Sequence, residues 1–316
     1  MGMSNICFEE VSIKGKFVSL PAIYVGDFTV VVLGKWLKKA MIKNEEWLKN
    51  SNEIDPALII EEIKNSSLKA DIFTFSQTLP DIKPKYPYYF ELRNVAAIPI
   101  TNFSDWWENL PQVTRKNVRR AEKRGIVVKK LIFNDDLIYN IMKINNSSPV
   151  RQNKKFTHYG KDFVQVKKDY SEFKERSEYL GAFYEDELIG FLRLVYRNKI
   201  TSIMQLLVMP QHYDKRPANA LIAKAVELCA DNGYKFLTYG QLIYNENIWS
   251  SLTEFKIRNG FKKINVPVYY VPLTYKGRIA ILLNMHAGIT RFLPKFLKRS
   301  YFLMRHLYHN IKKREG

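Results

Sequence analysis

The sequence predicts an α/β (α+β) fold, a mixed sheet flanked by helices, and three observations carry that reading. Runs of β-branched and aromatic residues recur from FVSLPAIYV to NVPVYYVP, the composition that suits half-buried strands. In the second half these runs alternate with helical periodicity, in the order hairpin, strand, helix, strand, helix, strand. The 316 residues, 46% apolar and 14% aromatic, are enough to bury the cores of two modest domains.

Taken in order, FVSLPAIYVGDFTVVVLG reads as two strands about a turn at Val25-Gly26-Asp27. A polar helix is expected from Pro56 to Ser66. The strands IFTFSQ and YYFELRNVAAIPI follow, separated by a Pro-Lys loop from Leu79 to Pro87. A helix opens near Asp105, with Ser104 or Asp105 as its N-cap, breaks at Pro111 and ends at Gly125. A second covers Asp135 to Asn145, and the polar stretch from Gln152 to Glu178 gains helical character near its end. YLGAFY and LIGFLRLVYR form a hairpin about Glu185-Asp186-Glu187, and ITSIMQLLVMP is a strand stopped by Pro210. PANALIAKAVELCADNGY is an amphipathic helix, with Leu221, Ile222, Ala225, Leu228 and Cys229 on one face and Gly233 after its end. KFLTYGQ is a short strand, SLTEFKIRNG a helix ended by Gly260, and FKKINVPVYYVPL one strand or two split at Pro267. Domain boundaries are placed at 1–110, a basic connecting helix at 111–130, a second domain at 131–273 and basic amphipathic helices at 274–316.

The formal charge of +19 is concentrated. Residues 112–130 carry net +7 and residues 276–316 net +9, so the positive field marks two places and the remainder is close to balanced. Such fields attract phosphate groups on nucleic acid, coenzyme, nucleotide sugar or lipid. Cys7 and Cys229 form neither a CxxC pair nor a disulfide framework. No leader-like segment and no long apolar run occurs, and the expectation is a cytoplasmic protein. The five histidines (His158, His212, His286, His306 and His309) show no metal-ligand spacing, and no metal site is expected. Neither a Walker loop, nor GxGxxG, nor a nucleophile elbow is present, which argues against NTP hydrolysis and hydride transfer.

Two segments suit anion binding. The loop MPQHYDKRPANA runs from a strand into a helix, where unpaired N–H groups and the positive end of the dipole meet; small residues there serve close helix packing equally well. In the helix LPQVTRKNVRRAEKRGI only Glu122 offsets six basic residues. It reads either as a solvated face or as a phosphate-binding surface with Arg115, Lys116, Arg119 and Arg120 as contributors.

The order of elements in the second half resembles the Gcn5-related N-acetyltransferase (GNAT) superfamily. The basic helix, the stretch AKAVELCADNGYKFLTYGQ and TEFKIRNGF are similar to motifs of its Fem-type branch, the aminoacyltransferases of peptidoglycan cross-bridges, over Leu110 to Leu273. The resemblance implies tandem GNAT-like domains, the first of them partial. It places the pyrophosphate of a coenzyme A donor at Lys215, Arg216, Ala218, Asn219 and Ala220, with Ala where Gly is usual and with Pro217 removing one donor. It also implies that Lys256 stabilises the oxyanion of acyl transfer, with Phe255 packed beside it; Asn259 stands where an aromatic is usual. Lys256 occupies the position at which many acetyl-CoA enzymes of the superfamily carry a tyrosine acid. Tyr239, Tyr244 and Glu246 remain candidates for acid or base.

After Leu273 two helices broken by Pro294 are expected. The second is basic and amphipathic with interfacial aromatics, suited either to an anionic membrane surface or to packing on the protein. The expected function is transfer of an acyl or aminoacyl group, from acyl-CoA or aminoacyl-tRNA, to an amine on a phosphate-bearing cell-envelope precursor or saccharide at the inner face of the cytoplasmic membrane. The alternative is a non-catalytic GNAT-like module that binds RNA or anionic lipid.

Overall fold

A computed structural model describes residues 6–13, 16–49, 54–152, 154–244 and 250–287. The chain begins with β1 (Cys7–Ile13), β2 (Lys16–Val25), β3 (Phe28–Leu33) and β4 (Lys39–Ile42), an antiparallel meander whose β2–β3 turn lies at Gly26-Asp27. Helix α1 (Pro56–Asn65) starts where Asp55 accepts from the Ala57 and Leu58 amides and Pro56 presets the first turn,. It buries Ile59, Ile60 and Ile63 on the inner strands, then leads into β5 (Ile72–Ser76), which pairs parallel with β4. β6 (Tyr89–Pro99) follows.

The basic region comprises two helices, α2 (Phe103–Glu108) and α3 (Gln112–Lys123). The N-cap of α2 is Asn102, whose side chain accepts from the Asp105 amide, and not the expected Ser104 or Asp105; Asp105 instead sits in the first turn and holds the Thr101 hydroxyl. Next come β7 (Val127–Leu131), α4 (Asp135–Asn146), the short hairpin β8 (Val150–Arg151) and β9 (Lys154–Lys155), and α5 (Phe163–Ser171). The second meander is β10 (Ser177–Tyr184), β11 (Glu187–Arg197) and β12 (Ile200–Val208). Helix α6 (Pro217–Asp231) buries Leu221, Ile222, Ala225, Val226 and Cys229 and leads to β13 (Phe236–Thr238), parallel to β12. The chain continues through α7 (Ser251–Arg258) and β14 (Lys262–Pro272), unbroken at Pro267, to α8 (Tyr275–Leu282). The first C-terminal helix is therefore shorter than expected: it ends at Leu282, and Asn284 turns left-handed just beyond. The second expected helix lies outside the described residues.

Twelve strands form one mixed sheet in the order β1-β2-β3-β4-β5-β14-β6-β13-β12-β11-β10-β7. Its two sides repeat one plan: an antiparallel meander, a helical crossover to a short parallel strand, and then an antiparallel partner. That partner is exchanged. β14 completes the N-terminal side by pairing with β5, β6 completes the C-terminal side by pairing with β13, and the two pair with each other at the centre.

Candidate active site

The opening that matters lies between β12 and β13. The two pair only from Ile200–Ser202 to Phe236–Thr238, where Ser202 and Thr238 join hydroxyls at 2.8 Å. Beyond this point β12 runs on to Val208 while β13 stops, so residues 203–208 have no parallel partner on that edge. Two openings meet in the gap. A groove of about 300 Å³ runs beside Met204 to Leu207, roofed by Arg151, Phe156 and His158. A cavity of about 410 Å³ lies between the two sides of the molecule, lined from one by Glu45, Ser76 and Arg93 and from the other by Arg197, Ser202 and Tyr244. Met204 and Tyr239 line both.

The segment 239–244 that follows β13 forms the wall between them. Asn94 of β6 fixes it, accepting from the Leu242 and Ile243 amides at 2.9 Å each and donating to the Ile243 carbonyl at 3.0 Å. Gly240 has φ +54°, and a β-carbon there would come within 2.7 Å of the Tyr244 hydroxyl. Lys256, fully buried on α7, fastens the segment from below. Its Nζ donates to the carbonyls of Tyr239 at 2.6 Å and Gln241 at 2.7 Å and reaches the Tyr244 hydroxyl at 3.2 Å; it also lies 4.2 Å from the centre of the Tyr239 ring. Burial lowers its pKa to about 7, whereas its carbonyl acceptors favour the charged form. Burial raises the Tyr239 and Tyr244 phenols.

Three N–H groups are all an ammonium has, and here each has an acceptor within the protein. Lys256 therefore meets the cavity through Tyr244, which lines it. Phe255 packs against the core beneath α6, and Glu246 lies outside the described residues. Asn259 bridges elements: its Oδ1 accepts from Asn219 at 2.9 Å and its carbonyl from the Trp106 indole at 3.1 Å. The Asn219 amide is thus engaged in holding α6 to α7.

The other expected residues gather on one flank. Lys215 is half-buried, with Nζ over the Tyr184 ring at 4.6 Å and 3.6 Å from Asp214. Arg216 takes a left-handed conformation as the N-cap of α6, without a side-chain cap, and Ala218 and Ala220 leave its first turn open to close approach,. Helix α3 packs along α6. Arg124 ties its end to this loop through the Asp214 carbonyl and carboxylate at 2.8 and 3.0 Å. Lys116, Arg119 and Arg120 are exposed and Arg115 half-buried; Arg119 lies 5.6 Å from the Trp107 ring. None of the four lines the groove or the cavity.

Sequence reasoning did not single out Glu45, Arg93 or Arg197. Arg197 ends β11 only 8% exposed. Its Nη2 reaches the Ser202 hydroxyl at 3.2 Å, while Nε and Nη1 have no partner among the described residues. Burial lowers its pKa to about 10. Glu45 accepts from the Ser76 amide at 2.6 Å; desolvation raises its carboxyl to about 7 against the pull of Arg93. Their sequence signal was an ordinary charge, Glu45 beside a turn, Arg93 within a strand and Arg197 at a strand end.

Residues 139–247, which span the groove, β12 and α6, match the Acetyltransferase (GNAT) family. That segment is a GNAT domain. No curated protein sequence matches the chain. Among solved structures the chain is similar to FemX, at 10% identity and TM-score 0.56 over 88% of this chain and 90% of that one. It is similar to the C-terminal domain of a protein described as a lysylphosphatidylglycerol synthetase from Agrobacterium fabrum, at 11% identity and TM-score 0.54 over 83% and 86% of the two chains. L-PGS from Bacillus licheniformis gives 14% identity and TM-score 0.53 over 84% and 88%. At these identities the likeness is one of fold, and it extends over both sides of the sheet. No helix among the described residues is long and apolar enough to cross a membrane.

Proposed function

We propose that the protein transfers an acyl or aminoacyl group from acyl-CoA or aminoacyl-tRNA to an amine, with the donor in the groove beside β12 and the acceptor in the cavity. The observation that carries this reading is the junction at Met204 and Tyr239, where two separate openings meet beside the Lys256–Tyr244 pair. Lys215, Arg216 and the first turn of α6 through Ala218, Asn219 and Ala220 would receive the donor phosphates, since backbone N–H groups and the helix dipole favour anions there. The amine attacks the acyl carbonyl, the C–N bond forms, and the C–S or C–O bond to the leaving group breaks. Tyr244, held by Lys256, is placed to donate its hydroxyl proton to the oxyanion or the leaving group. Names of the structural neighbours favour an acceptor of the cell envelope: lysylphosphatidylglycerol joins an amino acid to a phosphate-bearing lipid. Location at a membrane face belongs to the same reading.

The test is single-turnover transfer from radiolabelled acetyl-CoA and from a set of charged tRNAs to an amine panel. Turnover with one donor class, reduced about a hundredfold or more in Tyr244→Phe, supports the assignment. Binding of RNA or anionic lipid with no transfer from any donor would favour the binding-module alternative.

A further inference from the structure

The cavity shows what its occupant must carry. Arg197 is a buried guanidinium with two unpartnered donors and no carboxylate within ion-pair distance among the described residues. Glu46, exposed at the rim, attracts it through space. A buried cation left in this way is costly, and proteins retain such groups chiefly where a ligand completes them. Arg93 lines the same cavity with its Nη2 on the Ser76 hydroxyl at 3.1 Å. Its charge is offset by Glu45, whose carboxyl accepts from the Ser76 amide. The cavity is thus lined by Glu45 and Glu46 against Arg93 and Arg197, and Arg197 is the cation that no carboxylate touches among the described residues.

We propose that the acceptor is an aminocarboxylate, a small amino acid or the amino-acid end of a larger molecule, with its carboxylate on Arg197 and its ammonium at Glu45. This rests on the acyltransferase reading and narrows its substrate. Charge selects the class against a phosphate monoester: a carboxylate brings a single negative charge to Arg197, whereas a monoester brings nearly two. Size agrees, since about 410 Å³ holds an amino acid with room for the acyl group beside Tyr239. The chemistry balances. The ammonium gives one proton to Glu45, and the free amine attacks the acyl carbonyl of the donor. The leaving thiolate or ribose oxygen takes a proton from Tyr244, the proton that the attacking nitrogen sheds as the amide forms returns through solvent to the Tyr244 phenolate, and Glu45 releases its proton to solvent.

The experiment is isothermal titration calorimetry on the full chain with L-alanine and L-lysine, their amides, and O-phosphoethanolamine, alongside coenzyme A and tRNA. The expected result is binding of a free amino acid, weakened at least about tenfold in its amide and in Arg197→Met, with donor binding unchanged by the substitution. Arg93→Met should weaken the same ligand. Because Arg197→Met removes an unpaired buried charge, its melting temperature without ligand should match or exceed that of the parent protein. A collapsed melting temperature would show a structural arginine and overturn the assignment. Equal binding of acid and amide, or tighter binding of O-phosphoethanolamine, would overturn the carboxylate class. If donors bind and no aminocarboxylate does, this inference fails alone; if no donor binds either, the acyltransferase reading fails with it.

Discussion

In the proposed reaction Lys256 decides what the Tyr244 hydroxyl can do. As an ammonium it donates to two carbonyls and to the phenol oxygen, leaving the Tyr244 O–H to point at a substrate. As a neutral amine it keeps only two N–H groups and a lone pair, and the phenol proton turns back onto the nitrogen. Transfer should therefore fall as pH rises through the pKa of about 7, and that limb of the kcat profile should vanish in Lys256→Met and in Tyr244→Phe. Stability should move the other way. Between about 7 and the unfolded lysine value near 10.4 the unfolded chain binds more protons than the folded one, so this group makes unfolding harder as pH rises across that window. Denaturant titrations of the parent protein and Lys256→Met at pH 6.5 and 9.5 would show this, with the upward slope smaller in the variant. Gly240→Ala tests the wall itself. A β-carbon 2.7 Å from the Tyr244 hydroxyl at φ +54° should displace the ring, lowering kcat with a stability loss of about 1–2 kcal/mol.

At the scale of elements, α3 and the start of α6 form one basic flank, joined by Arg124 and Asp214. Among the described residues no salt bridge involves Arg115, Lys116, Arg119 or Arg120, and none of them lines the groove or the cavity. Under the proposed function they would hold the distal part of a long polyanionic donor. Arg119→Glu with Arg120→Glu should weaken tRNA binding and flatten its dependence on salt by about one logarithmic unit per lost phosphate contact, while coenzyme A binding changes far less; filter binding over a salt series reads both. How far these elements were legible follows from their physics. Helix α6 and the hairpin β10–β11 announced themselves because periodicity, Gly233 and the Glu185-Asp186 turn all agreed. β1 and β7 gave weaker signals, being polar edge strands, CFEEVSI and VVKKL, whose pairing is decided by distant partners. In the site, the TEFKIRNG pattern led to Lys256, but nothing local marks Arg197 or Glu45. Their roles come from burial and from the meeting of two sides of the sheet, which sequence spacing does not encode.

The whole molecule is governed by the exchange of β6 and β14. Residues Lys262–Tyr270 pair with Ala97–Tyr89, so each side of the sheet is closed by a strand from the other. The two sides share more than an interface, because Asn94 on β6 also fixes the 239–244 segment that carries Tyr244. An isolated 111–316 fragment would expose the edges of β13 and β14 and leave that segment without its anchor, and unpaired edges of this kind aggregate. The full chain should accordingly unfold in one cooperative transition by circular dichroism and by Tyr/Trp fluorescence alike. Residues 1–110 and 111–316 produced separately should remain insoluble or unfolded, and produced together they should associate and regain transfer activity. Two resolved transitions, or a soluble and active 111–316 fragment, would show that the C-terminal side stands alone and that the exchanged strands are incidental to the site.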